Sequence, residues 1–314
     1  MSKFADIYGH EQIKEHLQNA IRLNKVSHAY IFNGPMGSGK KMTAGIFAET
    51  LQCERHGQEP CGMCHSCIQS ESGNQPDIIW VHHEKPGSIG VDDVREQVIG
   101  DMQIKPYSSR YKIYIIDEAE KLTQQAQNAL LKTIEEPPAY GIIILLTTNA
   151  DTFLQTILSR CVRLDFRPLR DTLVTQYLQE KYDLTDYECR FATAFAQGKI
   201  GRAVTIATSK EFAQLKEEVM HVIRYAKEMT TAEIMAEVKN IANYKLTIDD
   251  YLDLMAMWYR DVLVFKSTKD SNALIFKDEM SLLAEQAKNC SYEGLEDILK
   301  SIDKVKLRLS LIHI

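Results

Sequence analysis

The chain has 314 residues, of which 45% are hydrophobic and 25% charged, and its formal net charge is −6 at pH 7. This composition is typical of a water-soluble globular protein with about two or three domains. The acidic balance excludes binding to nucleic acid through overall charge, so such binding would need a local patch or a partner. No apolar run reaches the ~20 residues of a transmembrane helix, and residues 1–6 lack the apolar core of a signal peptide. We therefore expect a cytoplasmic protein without membrane contact.

A candidate phosphate-binding loop follows the first apolar run of the chain. Residues 29–33 have the composition of a buried strand, and residues 39–51 have the apolar spacing of a helix. Between them GPMGSGKK, residues 34–41, matches the pattern G-x-x-x-x-G-K-[ST] except at its last position. In such loops glycines let backbone N–H groups surround the phosphates, while the lysine neutralises phosphate charge. The candidate nucleotide-binding residues are Gly34, Gly37, Gly39, Lys40 and Lys41.

The last position of this loop departs from the pattern. A Ser or Thr hydroxyl there ligates Mg²⁺, whereas Lys41 offers no oxygen and adds a charge that repels a metal ion. Thr43 cannot take over the hydroxyl role, because two residues along a helix correspond to about 200° around its axis. The sequence therefore predicts the plan of an ATPase with its metal ligand missing, and it leaves the binding of ATP and Mg²⁺ open.

Four of the 7 cysteines lie in one short segment with the spacing C-x7-C-x2-C-x2-C, namely Cys53, Cys61, Cys64 and Cys67. An odd number of cysteines in a cytoplasmic protein argues against a disulfide framework. Four thiolates at this spacing can hold one tetrahedral Zn²⁺ in a closed, structural site. A redox C-x-x-C pair would not need four cysteines, while His56 and His65 remain alternative ligands. The sequence predicts a structural zinc module over residues 53–67.

An acidic pair follows a second apolar strand. Residues 112–116 lead directly to Asp117 and Glu118. In phosphate-loop ATPases the aspartate at such a strand end holds Mg²⁺, and the following glutamate polarises the attacking water. The alternative is an acidic helix start, which these side chains also suit. Because the pair follows a phosphate loop in the same chain, we favour the ATPase interpretation.

A third apolar strand also ends in polar residues. The helix spacing of residues 126–135 stops at two prolines, and apolar residues 141–146 then lead to Thr148 and Asn149. If this strand lies beside the phosphate-loop strand, Thr148 and Asn149 lie near a bound γ-phosphate. Arg160 follows within a Ser-Arg-Cys sequence, and taken alone it would be interpreted as a surface arginine.

Together these segments resemble bacterial clamp-loader subunits of the AAA+ class, in particular the delta-prime family of DNA polymerase III. The resemblance is carried by the phosphate loop, the four cysteines, FADIYGH (4–10), SHAY (27–30), IDEA (116–119), LLKTIEEPP (130–138) and SRC (159–161). It is strong over residues 4–168 and weak beyond them. It implies an α/β fold with three parts: a P-loop parallel sheet with an inserted zinc module in residues 1–167, a small helical lid in 168–208, and an all-α collar for oligomerisation in 209–314.

The resemblance also implies roles for individual residues. Arg160 matches the arginine finger that acts in trans on ATP bound to an adjacent subunit. Asp117 and Glu118 match the Walker B carboxylates, which would be vestigial here. Thr148 and Asn149 match the first sensor, whose side chains lie near the γ-phosphate.

The same resemblance implies that this chain lacks the second sensor, an arginine in active clamp-loader ATPases. Gly201 occupies the position where active clamp-loader ATPases carry an arginine, and Arg202 comes one residue later, about 100° around a helix. The site therefore lacks two side chains of an active ATPase: the hydroxyl that Lys41 replaces and the arginine that Gly201 replaces. The resemblance therefore implies a catalytically degenerate subunit whose own ATPase is weak or absent. The alternatives are an active motor subunit of the same loader and another AAA+ DNA-processing ATPase.

The family implies partners and a location. We expect a hetero-pentameric ring with other clamp-loader subunits, contact with a sliding clamp, and primer-template DNA reached through the complex in the cytoplasmic replisome. DNA-directed DNA polymerase activity would belong to the holoenzyme and to this chain only by association. Lys105, Arg110 and Lys132 are candidate DNA contacts, although solvated surface charge is the simpler interpretation of each. Residues 309–314 match the in-frame translation of a sequencing adaptor, so we expect a truncated collar that ends in foreign residues.

Overall fold

A computed structural model describes residues 2–83, 85–226, 228–243 and 248–312. The chain divides into two compact units. The first comprises Met1–Tyr177 and Gly198–Arg202, and the second comprises Leu178–Gln197 and Ala203–Ile314. The three-part division with limits at 167 and 208 stays a prediction.

The first unit is built on a parallel sheet of five strands in the order β2-β3-β4-β1-β5. The strands are β1 Ala29–Asn33, β2 Ile78–Trp80, β3 Lys112–Ile116, β4 Gly141–Thr147 and β5 Val162–Asp165. In the middle of the sheet Ile31 pairs with Leu145 on one side and with Arg163 on the other. Continuous apolar runs are typical of parallel strands that are covered on both faces. The α/β fold with a parallel sheet is thus confirmed.

Two apolar clusters cover the two faces of this sheet. Because successive side chains of a strand point to opposite faces, Ile31 and Tyr114 belong to one cluster while Phe32 and Ile115 belong to the other. The helices of this unit are α1 Glu11–Arg22, α2 Lys40–Gln52, α3 His65–Glu71, α4 Val91–Val94, α5 Gln124–Glu135, α6 Gln155–Leu158 and the start of α7 Asp171–Lys181. A π-helical turn, Arg95–Gly100, and a 3-10 turn, Asp101–Gln103, continue α4. Further 3-10 turns of this unit are Phe4–Asp6, Ala119–Lys121 and Ala150–Thr152.

A buried carboxylate fixes the loop that precedes β3. Asp77 accepts hydrogen bonds from the backbone N–H groups of Tyr107 at 2.7 Å, Ser108 at 2.9 Å and Ser109 at 3.0 Å. The Asp77 side chain is buried, so these three bonds replace the water that the charge would otherwise need. Tyr107 itself is 88% exposed at the tip of this loop. The loop is therefore held at its base and open at its tip.

The second unit is helical. Its helices are the end of α7, α8 Asp186–Ala196, α9 Ile200–Thr208 from Ala203 onward, α10 Lys210–Tyr225, α11 Thr231–Asn243, α12 Ile248–Thr268, α13 Met280–Asn289 and α14 Tyr292–Ile312. On α12 the fully buried Trp258 donates its indole N–H to Gln286 Oε1 at 2.9 Å. Ile234 and Val238 on α11, in contrast, are exposed although their spacing is that of an apolar helix face. The C-terminal helical region agrees with the predicted all-α part.

Two further sequence-based expectations concern the last residues of the chain and its contact with membranes. Residues 313 and 314, at the end of the segment 309–314, lie outside the described residues, and the interpretation of that segment as foreign stays a prediction. Across the part of the chain that the structure describes, every helix is too short or too polar to cross a membrane.

Candidate nucleotide-binding site and cysteine cluster

The predicted phosphate loop connects β1 to α2 at the carboxyl edge of the sheet. The Gly34 N–H donates to the Thr147 carbonyl at 3.1 Å, which ties the start of the loop to the end of β4. Gly37 and Gly39 have φ of +76° and +94°, in the left-handed region that glycine adopts without strain. Lys40 Nζ donates to the Pro35 carbonyl at 2.8 Å and also to the Gly34 carbonyl. Gly34, Gly37 and Gly39 therefore lie in one compact turn, and Lys40 and Lys41 are the first two residues of the helix that follows it.

Lys41 reaches the carboxylate predicted to hold a metal ion. Its Nζ lies 3.2 Å from Asp117 Oδ2 and 5.2 Å from the centroid of the Trp80 ring. Thr43 donates its hydroxyl to the Gly39 carbonyl at 2.9 Å and is fully buried in the first turn of α2, as its helical position predicts. The position of a metal-ligating hydroxyl is thus taken by an ammonium group that is paired with Asp117. Trp80 went unnoticed in the sequence, since a tryptophan at the end of a short strand carries no motif.

The second acidic residue is paired within its own turn. Glu118 has φ of +50°, and its Oε2 lies 2.7 Å from Lys121 Nζ and 3.7 Å from His83 Nε2. A carboxylate that would orient a water molecule is thereby engaged with a cation three residues away. Lys121 and His83 have no motif spacing relative to the phosphate loop, so the sequence did not reveal them.

The polar end of β4 lies beside the phosphate-loop strand, because β4 and β1 are neighbours. Thr148 Oγ1 donates to Glu120 Oε1 at 2.7 Å, so the predicted sensor hydroxyl already has a carboxylate partner. Asn149 Oδ1 accepts from the Asp151 N–H at 3.0 Å and caps a short 3-10 turn. The condition that the strands be neighbours is met, and both side chains are engaged in local hydrogen bonds.

Gly201 contacts the phosphate loop directly. Its N–H donates to the Gly37 carbonyl at 2.8 Å. A Cβ atom added at Gly201 would lie 3.1 Å from both the Cα and the carbonyl oxygen of Gly37. The backbone N of Arg202 is equally close, 3.0 Å, to a Cβ added at Gly37. Residue 201 therefore faces the loop, and only a glycine fits there without displacing it.

Comparison with known proteins identifies the family. The family model described as "DNA polymerase III, delta subunit" matches residues 9–170, and the model described as "DNA polymerase III, delta subunit, C terminal" matches residues 210–313. The chain belongs to the DNA polymerase III delta-subunit family. The resemblance to clamp-loader subunits of DNA polymerase III is thereby confirmed.

Individual proteins similar to this chain include two relatives from one organism and one solved structure. DNA polymerase III subunit delta' of Bacillus subtilis is 29% identical over 297 residues, which cover 93% of this chain and 88% of the relative. Subunit tau of the same organism is 30% identical over 331 residues, which cover 97% of this chain and 58% of the relative. A crystal structure of a gamma subunit-related protein from Thermotoga maritima is 21% identical, covers 92% of this chain and 98% of that one, and has a TM-score of 0.42. The chain thus spans little more than half the length of B. subtilis tau.

In this delta-family chain the predicted finger arginine lies on the surface just after α6. Arg160 Nη2 lies 3.1 Å from Glu135 Oε1, and Nη1 donates to the Thr156 carbonyl at 3.0 Å. The Arg160 side chain is 39% exposed. Glu135, the last residue of α5, belongs to the segment LLKTIEEPP, but its pairing with Arg160 could not be inferred from spacing alone. The guanidinium is therefore oriented by two neighbours and open to solvent.

The four cysteines come together as predicted. Their Sγ atoms all lie within 4.8 Å of one another, and the Cys61 and Cys67 sulfurs are 3.9 Å apart. Four sulfurs at ~2.3 Å from a tetrahedral Zn²⁺ would be about 3.8 Å from each other, so the cluster fits such an ion. Among the described residues, the side chains close enough to share the ion are the cysteines alone, without His56 or His65.

Backbone N–H groups make one thiol of this cluster more acidic. The N–H groups of Met63 and Cys64 point to Cys61 Sγ at 3.5 and 3.4 Å, and they lower the pKa of Cys61 to about 6. Burial instead raises the pKa of Cys53 and Cys67. A bound cation would stabilise the deprotonated form of all four thiols, including the two whose pKa is raised by burial.

A glutamate anchors the cysteine segment to the N-terminus of the chain. Glu59 Oε2 accepts from the Phe4 N–H at 2.8 Å, and Glu59 Oε1 accepts from Gln18 Nε2 at 3.1 Å. Phe4 is buried and belongs to the core beneath α1. The cysteine cluster is therefore a part of the first unit and not an independent appendage. The sequence did not signal this role of Glu59.

The candidate DNA contacts lie on two different elements. Lys105 and Arg110 flank the exposed loop before β3, and Lys132 lies in the last turn of α5. The Arg110 guanidinium lies 5.2 Å from the centroid of the Tyr111 ring. Their role in binding DNA stays a prediction.

Proposed function

We propose that this chain is a catalytically degenerate clamp-loader subunit of the DNA polymerase III holoenzyme. In this role it assists ATP-driven loading of a sliding clamp onto primed DNA within a hetero-pentameric ring. The observation that carries the proposal is the 3.2 Å pair between Lys41 and Asp117, which occupies the metal-binding part of the site with a side chain. Family membership and the fit of Gly201 against the phosphate loop support it further.

The proposal assigns the parts of the chain separate tasks. The sheet domain, residues 1–167, keeps the nucleotide-binding architecture, residues 168–208 form a lid, and residues 209–314 form the collar that joins the ring. Polymerase activity belongs to other subunits. The complex acts in the cytoplasm at the replisome, and this chain reaches primer-template DNA through its partners.

Arg160 is the residue that we propose to act on a neighbouring subunit. Its pair with Glu135 is partly exposed, and exposed ion pairs contribute only about 0–1 kcal/mol. The phosphates of ATP on an adjacent subunit carry more negative charge than one carboxylate, so they can draw the guanidinium away from Glu135. An arginine finger of this kind is worth roughly 10³–10⁵ in the rate at the site that it completes.

Reconstitution of the loader tests the finger. In a loader assembled with Arg160→Ala, we expect the ATP turnover of the adjacent site to be lost while the ring still assembles. Arg163→Ala is the matched control, because Arg163 is an exposed arginine on β5 that pairs with Asp165 in its own chain. Turnover that is the same for both variants and the wild type would refute the role of Arg160.

ATP hydrolysis by the isolated chain separates the degenerate subunit from a motor. Asp117, Glu118 and Thr148 are the observations that favour a motor, since all three side-chain types are retained at the carboxyl edge of the sheet. We expect no turnover above background. Steady hydrolysis that disappears in Lys40→Ala would establish the motor interpretation instead.

We also propose that the four cysteines hold one structural Zn²⁺. The support is their mutual distance and the thiolate character of Cys61. Elemental analysis of the purified chain should give one zinc per chain, and Cys64→Ser should lower both zinc content and thermal stability. Cys290→Ser, which lies outside the cluster, is the control. Full zinc content in Cys64→Ser would contradict the assignment.

A further inference from the structure

Lys41 and Asp117 occupy the two residue positions that hold the magnesium ion in phosphate-loop ATPases. Residue 41 directly follows the loop lysine, at the position whose hydroxyl ligates Mg²⁺ in such loops. Asp117 directly follows β3, at the position whose carboxylate completes that coordination. The two side chains meet at 3.2 Å. The positive charge of Lys41 is thus paired with the carboxylate that would otherwise bind the ion.

The residues present do not fit Mg²⁺. This ion requires nearly octahedral oxygen ligands at about 2.0–2.1 Å. At residue 41 an ammonium replaces the oxygen, and it is held from a second side by the Trp80 ring, 5.2 Å from its centroid. The nearest hydroxyl along α2, that of Thr43, is fully buried and bonded to the Gly39 carbonyl. An incoming Mg²⁺ would have to displace a cation without gaining a ligand from α2.

The loop nevertheless keeps the features that bind an anion. It precedes α2, a helix of 13 residues, whose N-terminal N–H groups attract negative charge. Independently of the helix, the Ser38 hydroxyl is only 2% exposed and has no hydrogen-bond partner within the described part of the chain. A phosphate oxygen is an acceptor that such a buried hydroxyl can use. Lys40 adds a second ammonium within the same loop.

We infer that Lys41 is a resident substitute for Mg²⁺, so that the phosphate loop binds the polyphosphate of a nucleoside di- or triphosphate in its metal-free form. A metal-free polyphosphate carries its full negative charge to Lys40 and Lys41. A magnesium complex of the same nucleotide carries a cation that Lys41 repels. Magnesium therefore weakens nucleotide binding by this chain, which is the reverse of its effect on a phosphate loop with a hydroxyl at this position. The same substitution leaves no metal to activate hydrolysis.

Equilibrium binding of ADP to the isolated full chain, in EDTA and in excess Mg²⁺, tests the inference. For the wild type we expect a lower Kd in EDTA than in Mg²⁺. For Lys41→Thr we expect the order to reverse, with a change in the ratio of the two Kd values of about tenfold or more, as one charge interaction of ordinary strength gives. Lys25→Thr makes the same charge change on an exposed residue after α1 and should leave the ratio at the wild-type value.

Two results would overturn the inference. One is tighter binding of ADP in Mg²⁺ than in EDTA by the wild type, with the same ratio in Lys41→Thr. The other is no binding of ADP in either buffer by wild-type chain whose circular dichroism shows it to be folded. If Lys41→Thr does not fold, Asp117→Asn provides the second variant: the inference expects it to keep binding ADP in EDTA.

The inference rests on the proposed degenerate role and deepens it, but different measurements would refute the inference and the proposed function. The metal dependence of ADP binding is measured on the isolated chain. The finger role of Arg160 is measured as turnover by the assembled loader. A loader unaffected by Arg160→Ala would refute the finger and leave the binding result as it stands.

Discussion

Gly201→Ala is the substitution that most directly tests how the phosphate loop is supported. The added Cβ would lie 3.1 Å from the Cα and the carbonyl oxygen of Gly37. Both atoms belong to backbone, so they cannot rotate away as a flexible side chain would. The loop must shift by a few tenths of an ångström, or α9 must move. We therefore expect Gly201→Ala to destabilise the first unit.

The magnitude follows from two opposing effects. Replacing a helical glycine by alanine stabilises by about 0.5–1 kcal/mol, and the gain is smaller here because Gly201 is the second residue of α9. Overpacking costs about 1–3 kcal/mol. The net expectation is a loss of about 1–2 kcal/mol in the free energy of unfolding.

Gly45→Ala is the matched control within the same unit. Gly45 lies inside α2, and a Cβ added there would meet only the Trp80 ring, at 4.0 Å, which is ordinary van der Waals contact. This variant should gain about 0.5–1 kcal/mol. Urea unfolding followed by circular dichroism gives both values from shifts of the same transition. If Gly201→Ala were as stable as Gly45→Ala, the contact between Gly201 and the phosphate loop would not exist as described.

Three further substitutions probe buried polar groups. Asp77→Asn removes one acceptor oxygen from the loop before β3, and urea unfolding should show a loss of about 1.5–3 kcal/mol, the range for hydrogen bonds to a charged group. Partial burial lowers the pKa of His10, although its bond to the Ser38 carbonyl acts in the opposite direction. Stability should therefore fall as the pH drops below about 6.5, where the unfolded chain binds the proton first, and His10→Asn should flatten the melting temperature against pH. Gln286→Leu leaves the buried indole N–H of Trp258 unpaired and should cost about 1–3 kcal/mol in urea unfolding.

Each of these has an outcome that contradicts it. Asp92→Asn is the control for Asp77→Asn: it changes an exposed carboxylate on α4 and should stay within about 0.5 kcal/mol of the wild type. If Asp77→Asn were no more destabilising than this control, the hydrogen bonds of Asp77 would not stabilise the loop. Asparagine tolerates the left-handed backbone of residue 10, where φ is +55°, so an unchanged pH profile in His10→Asn would assign the titration to other groups. An unaffected Gln286→Leu would show that the indole finds another acceptor.

The elements around the phosphate loop were predictable from local patterns. Apolar runs that end in Asn33, Ile116 and Thr147 are strands of a parallel sheet, since each is buried on both faces. The helix after the loop was expected from Gly39 onward and begins at Lys40. The cysteine spacing predicted the cluster because ligand spacing within a short loop is a local property. Short segments such as β2 carry too little pattern to be assigned.

The pairings inside the site could not be predicted in the same way. Lys41 meets Asp117 across a separation of many residues, and Glu59 meets Phe4 through the return of the cysteine segment to the N-terminus. Such contacts depend on the order of strands and the path of loops, which a single sequence does not specify. The sequence did identify that Lys41 is wrong for a metal site. What it could not reveal is that this lysine neutralises the carboxylate that the metal would have used.

If the chain has lost hydrolysis, as we propose, it still has a physical reason to keep the phosphate-loop architecture. Arg160 comes two residues before β5, and β5 pairs with β1 in the register Tyr30 with Val162. The strand that leads into the phosphate loop therefore also positions the segment that carries the proposed finger. The ion pair of Lys41 is exposed and adds little to stability, which agrees with the proposal that Lys41 acts in ligand binding rather than in folding. Substitutions that change the charge at residue 41 should thus alter nucleotide binding without disturbing Arg160, whereas substitutions that shift β1 should impair both.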